Sequence, residues 1–149
     1  MKPVILVSAC LLGIHCRYDG ACQQIDTFSQ KIPQLLEQFQ IVPICPEQLG
    51  GLPTPRVPAE IYNGKVIAAS GQDVDEAFNR GAQEAYAIAQ MYHASIAILK
   101  ARSPSCGSGQ VYDGTFSKKL VDGDGKTAAF LKNKGVAVYT ENDFEELLK

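Results

Sequence analysis

Val4-Ile5-Leu6-Val7-Ser8-Ala9-Cys10-Leu11-Leu12-Gly13 opens on an unbroken apolar run and closes in turn chemistry. A strand with one wet face would alternate apolar and polar side chains. A continuous Val/Ile/Leu run is what a strand buried on both faces of a parallel sheet requires. The reading places Ser8, Ala9 and Cys10 at the carboxyl end of that strand. Val7-Ser8-Ala9-Cys10 also resembles a lipoprotein cleavage box. The apolar stretch before it is barely the minimum for a signal core and its basic region is the single Lys2, so a buried first strand is expected instead.

Working outward, Ile41-Val42-Pro43-Ile44 reads as a second short strand, weakened by its proline and ending at Cys45-Pro46-Glu47. Ile96-Ala97-Ile98-Leu99 is a third buried strand leading into Lys100 to Gly107, and Val136 to Tyr139 a fourth. Between them, Phe28, Ile32, Leu35, Leu36 and Phe39 recur at helical spacing, with Asp26 or Thr27 as N-cap; Pro33 sets the helix start near Ile32. Val74, Phe78, Ala82, Ala85, Ile88, Ala89 and Tyr92 predict a long amphipathic helix capped by Asp73. A further helix is expected around Thr127 to Asn133, and Thr140 with Asp143 resembles a capping box for a last one. Asn63-Gly64 and Asp113-Gly114 signal two hairpins, the second returning through Thr115-Phe116.

Strands alternating with helices predict a compact Rossmann-like α/β fold, a doubly wound parallel sheet of about four strands with hairpin excursions. At 149 residues, 46% hydrophobic and 20% charged, the chain suits one domain over residues 1–149. No run approaches the roughly 18 apolar residues of a membrane span. A cytoplasmic protein without a membrane partner is therefore expected. The formal net charge of -2 argues against broad, salt-sensitive nucleic-acid binding and favours a small-molecule partner.

Five cysteines are many for such a chain, and an odd number does not complete an internal disulfide framework. In open sheets of this kind ligands bind beyond the carboxyl ends of the strands. Cys10, Cys45 and Cys106 each follow a predicted strand, so they are expected to meet there as a thiolate site, for zinc or an iron-sulfur cluster. Zinc would want a fourth ligand, and only His15 and His93 are present, the latter at the remote end of the long helix. A 4Fe-4S cluster usually takes four cysteines, and three would leave one iron open. Cys16 could replace Cys10 as ligand; Cys22 reads as a bystander. Glu47, two residues past Cys45, can move protons in that cleft. Ser103 and Ser105 beside Cys106 can cap a turn or hydrogen-bond a ligand, and Arg56, Lys100 and Arg102 can supply positive charge.

Four motifs add to this. VSACLLGIHCRYDG (Val7 to Gly20), CPEQLGGLPTPRVPAEI (Cys45 to Ile61), GQDV (Gly71 to Val74) and KARSPSCGSGQVYDGTF (Lys100 to Phe116) together resemble a bacterial family, long known only as a domain of unknown function, some of whose members are thiouracil desulfidases. The resemblance covers nearly the whole chain. It implies a 4Fe-4S cluster, one that air can strip, held by Cys10, Cys45 and Cys106, with its remaining iron binding the substrate's sulfur. It also implies Glu47 and Ser103 as catalytic groups, with Ser103 orienting the base or the water, and hydrolysis of thiouracil to uracil without net redox chemistry; Ser105 as a second substrate contact is expected from its place beside Cys106 alone. The rival readings are a thiolate metal-binding module without turnover and desulfuration of thiolated tRNA. A nicotinamide enzyme is disfavoured, because Cys10-Leu11-Leu12-Gly13 is no glycine-rich phosphate fingerprint.

Overall fold

A computed structural model describes residues 1–22 and 26–149. Four strands make its main sheet: β1 (Val4–Ser8), β2 (Gln40–Ile44), β5 (Ile96–Leu99) and β8 (Ala137–Thr140). They run parallel in the order β2-β1-β5-β8, with Ile5 opposite both Ile41 and Ile96. Two antiparallel hairpins stand beside it, β3 (Ala59–Tyr62) with β4 (Lys65–Ala68) and β6 (Gln110–Tyr112) with β7 (Leu120–Asp122).

The apolar run of β1 behaves as a doubly covered strand should. Ile5, Leu6 and Val7 are all 0% exposed. Ile5 and Val7 pack with Phe28, Leu35 and Phe144 on one face. Leu6 packs on the other with Ala85, Ala89 and Leu131, from the helices α4 (Asp75–Tyr92) and α5 (Lys126–Asn133). The alternation of side chains across a strand thus divides one core into two layers around the sheet. Pro43 is tolerated because β2 is an edge strand.

Helix starts differ in detail from the periodicity. Asp26 and Thr27 do not cap a single long helix; they open the short α1 (Asp26–Ser29), and α2 (Ile32–Gln38) follows with Pro33 in its first turn. Asp73 lies one residue before the N-cap of α4, where its Oδ1 accepts the Asp75 amide at 2.9 Å. Asp143 accepts the Thr140 amide at 2.7 Å, but the segment beyond it, Phe144–Leu147, is a 3₁₀ turn.

The Asn63-Gly64 hairpin has positive φ at both turn residues, 49° and 79°, as a two-residue turn requires. The second hairpin departs from expectation. Tyr112 pairs with Leu120, so Asp113-Gly114 starts a long loop and Thr115-Phe116 is no return strand. The loop is held instead by polar contacts: Asp113 N–H donates to the Lys119 carbonyl at 2.9 Å, and Asp113 Oδ1 accepts the Thr115 amide at 2.9 Å.

The sheet order also sets where a ligand can sit. From β1 the chain first moves to one side, to β2, and later returns to the other, to β5. The connections that leave β1 and β5 part at that reversal, and the carboxyl ends of the two strands border a crevice.

Candidate thiol-lined active site

That crevice opens into a cavity of about 770 Å³. Cys10, Cys16, Cys45 and Cys106 all line it. Cys10 lies in the 3₁₀ turn Ala9–Leu12 directly after β1, Cys45 is the N-cap of α3 (Pro46–Leu49) after β2, and Cys106 follows β5. Cys22 is half-buried and off the cavity wall; His15 and His93 are exposed and also off it.

Cys16 is the residue that motif spacing alone undervalues. It is 3% exposed, and the Cys10 and Cys45 thiols are near enough to perturb it. The Cys45 thiol also donates to the Cys16 carbonyl at 3.7 Å. The hydrogen bond with Cys10, followed by burial, pushes the Cys16 thiol up to about 11. Cys45 is pushed up by its bond to Cys16, by burial and by the Glu47 carboxylate. Cys106 is pushed up by burial first and by Glu47 second. Burial and crowding thus favour the neutral form of all three thiols. Among the described residues no three His, Cys, Asp or Glu side chains crowd one point closely enough for a single metal ion.

Glu47 projects from the first turn of α3 onto the cavity wall. Arg56 Nη2 is 3.3 Å from Glu47 Oε2, and the two side chains are only 9% and 15% exposed. Arg56 Nη1 donates to the carbonyls of Cys16 (3.1 Å) and Pro53 (3.2 Å) and to Thr54 Oγ1 (3.2 Å). One guanidinium thus joins the first cysteine loop to the carboxylate, a use suited to its rigid fork of donors. The helix that carries Glu47 is itself held close: a Cβ on Gly50 would lie 2.0 Å from the Ala77 carbonyl oxygen, and one on Gly81 2.0 Å from that of Pro46. Only glycine at both positions lets α3 and α4 touch backbone to backbone.

Ser103 also lines the cavity. Its Oγ accepts the amides of Ser105 and Cys106, each at 3.1 Å, which shapes the turn that aims Cys106 and leaves the hydroxyl proton free to donate. Ser105 does not meet the expectation of a substrate contact. It is 0% exposed and off the cavity wall; its hydroxyl bonds Thr127 Oγ1 at 2.8 Å, and its carbonyl accepts the Thr127 amide at 2.8 Å and that of Ala128 at 3.1 Å. The otherwise unpartnered amides at the start of α5 have claimed it.

Two supports take roles that the motifs did not announce. Ser8 Oγ accepts the Lys100 amide at 2.9 Å and donates to Cys106 Sγ at 3.5 Å, tying the end of β1 to that of β5. Glu141, just past β8 and 7% exposed, accepts the Ala101 amide at 2.7 Å and pairs with Lys100 Nζ at 2.7 Å. The Lys100 ammonium is thereby fixed on the cavity wall, where Arg102 also lies.

A family model for 2-thiouracil desulfurase matches residues 5–143. The chain belongs to the 2-thiouracil desulfurase family. It is 46% identical over 155 residues to the uncharacterized protein YbbK of Bacillus subtilis (strain 168), a match that spans 97% of this chain and 100% of that one. Among solved structures it is similar to the [4Fe-4S]-dependent thiouracil desulfidase TudS (DUF523Vcz), with a TM-score of 0.88 and 42% identity over 98% of this chain and 95% of that chain. That similarity extends to the whole α/β architecture, parallel sheet and hairpins included. No helix among the described residues is long and apolar enough to cross a membrane.

Proposed function

We propose that the chain is one catalytic unit, a 4Fe-4S-dependent hydrolytic desulfidase that converts thiouracil, or a related thiolated pyrimidine or nucleoside, to uracil and sulfide. The observation that carries this reading is the arrival of Cys10, Cys45 and Cys106 on one cavity wall together with a paired Glu47.

The donor set fits such a group. Thiols from three separate strand ends surround a space rather than a point, and soft sulfur is what iron-sulfur clusters take. Cys10, Cys45 and Cys106 would hold the cluster, with Cys16 against two of them. When bound, it supplies a Lewis-acidic iron and a sink for the departing sulfide.

The balance needs no electrons: water provides the oxygen of the new C=O bond, and its two protons leave with the C=S sulfur as hydrogen sulfide. Glu47 takes the proton from the attacking water. Arg56 keeps that carboxylate on the cavity side of α3. Ser103, with its oxygen committed to two amides, donates its own proton to the pyrimidine or the water. The part-apolar lining of the cleft limits competing water.

Iron and acid-labile sulfide counts on anaerobically purified protein, followed by sulfide release from 2- and 4-thiouracil, test the reading. Bound zinc in place of iron, or a loaded cluster that releases no sulfide from either, would overturn it.

A further inference from the structure

Phe116 is an aromatic side chain that the core does not explain. It belongs to neither apolar layer and is 41% exposed, yet it lines the same cavity as Cys106 and Glu47. Its backbone sits at φ 56°, a left-handed conformation that bulky residues avoid. The loop between β6 and β7 is held in that state from outside. Glu60 Oε1 accepts both the Gly114 amide (3.0 Å) and the Phe116 amide (3.1 Å). Gly114 lies so close to β3 that a Cβ there would be 2.7 Å from the Ile61 carbonyl oxygen. Such over-determined strain gathers where a fold has a side chain to present.

The other aromatic residues on the wall have other engagements. Tyr18 packs under the Arg17 guanidinium, 5.5 Å from its ring centroid, Phe78 is buried on α4, and Tyr112 is half-buried in β6. A thiolated pyrimidine must turn its C=S edge to the thiols, and the remaining surface it offers is its flat π face. A fixed aromatic ring answers that face without demanding hydrogen bonds.

We propose that Phe116 is the stacking platform for the pyrimidine ring and that Glu60 is its positioning residue. The proposal rests on the desulfidase reading and names how that site holds its base.

The chain has no tryptophan, so Phe116→Trp introduces its sole indole. Titration of cluster-loaded, anaerobic Phe116→Trp with uracil should quench the indole emission saturably. Phe116→Leu keeps apolar bulk without a π face; it should retain wild-type iron and sulfide content while its KM for thiouracil rises roughly 5- to 150-fold, the span expected for losing one base stack. Glu60→Ala should raise KM in the same direction, and Glu60→Gln, which keeps the acceptor oxygen, should restore it. A wild-type KM in Phe116→Leu, or an indole indifferent to uracil in protein that still consumes thiouracil, would overturn the platform. Saturable quenching without any sulfide release would uphold it and remove the desulfidase reading; loss of both would remove both.

Discussion

The Arg56 guanidinium and the Glu47 carboxylate, 3.3 Å apart and both largely withdrawn from solvent, link two segments that share no secondary structure. Arg56 lies in the extended stretch before β3 and Glu47 in α3. Glu47→Gln preserves shape and most hydrogen-bonding reach but removes the proton-accepting group. Iron content should survive, while sulfide release falls by ~100- to 10,000-fold, the usual worth of a general acid-base group. Near-wild-type turnover by cluster-replete Glu47→Gln would transfer the role to Ser103.

Arg56→Ala removes the partner instead of the acid. It leaves Glu47 and the Cys16 carbonyl short of a charged donor, so denaturant unfolding should show a loss of about 1.5–3 kcal/mol. Sulfide release should fall as well, and Arg56→Lys should recover little of it, since an ammonium cannot reproduce the fork to four acceptors.

Serine substitution separates the cysteines. Cys10→Ser, Cys45→Ser and Cys106→Ser should each lose most of the cluster absorbance and iron, and Cys22→Ser should retain both. Cys16→Ser is the discriminating variant, because this thiol shares the cavity wall with the expected ligands and feels two of them. Cluster loss there, with retention in Cys10→Ser, would exchange their roles.

Gly81→Ala tests whether Glu47 depends on the packing of α3 against α4. The added methyl meets the Pro46 carbonyl and forces the two helices apart. A drop in stability of about 1–3 kcal/mol is expected from such overpacking, with a fall in turnover at unchanged iron content. Full activity at full stability would show that α3 can shift without consequence.

Asp75 predicts a pH dependence of folding. Against the cost of partial burial, the Val66 amide and the Lys126 ammonium, with help from Asn79, hold its carboxyl below the usual carboxylate range. A depressed folded-state value stabilises the native protein above the unfolded-state value, and the contribution is lost as pH falls through the folded one. Wild type should therefore exceed Asp75→Asn in stability at neutral pH. The gap should close below about pH 3.8, the ordinary carboxylate value, as unfolding free energies measured across that range would reveal.

Much of this was legible in the apolar runs. Ile5 to Val7 and Ala97 to Leu99 are buried on both faces, so the composition of these runs announces a parallel sheet. The strand-end cysteines followed from that, because open sheets place ligands at one end. What stayed hidden were contacts across long sequence separations. Ser8 reaches Cys106, Arg56 reaches Cys16, and Glu141 reaches Lys100, with nothing local to mark any of them. Ser105 misled for the opposite reason: its neighbours look like a ligand loop, but the start of α5 takes up its polar atoms. The Asp113-Gly114 pair likewise has a turn's chemistry, while Glu60, from another hairpin, decides the path of the chain beyond it.

Because β1 lies between β2 and β5, the thiols of Cys10, Cys45 and Cys106 become neighbours only after two crossovers are complete. Cys10 is synthesised before Cys106 and must wait for it. No fragment that stops short of Cys106 can assemble the set, so a cluster held by all three residues would be inserted only after β5 has joined the sheet. It would then clasp the early, middle and late parts of the chain, closing loops whose free ends cost entropy in the unfolded state. Retention of iron thus becomes a record of correct folding, and a chain that has opened at β1 betrays itself by losing colour.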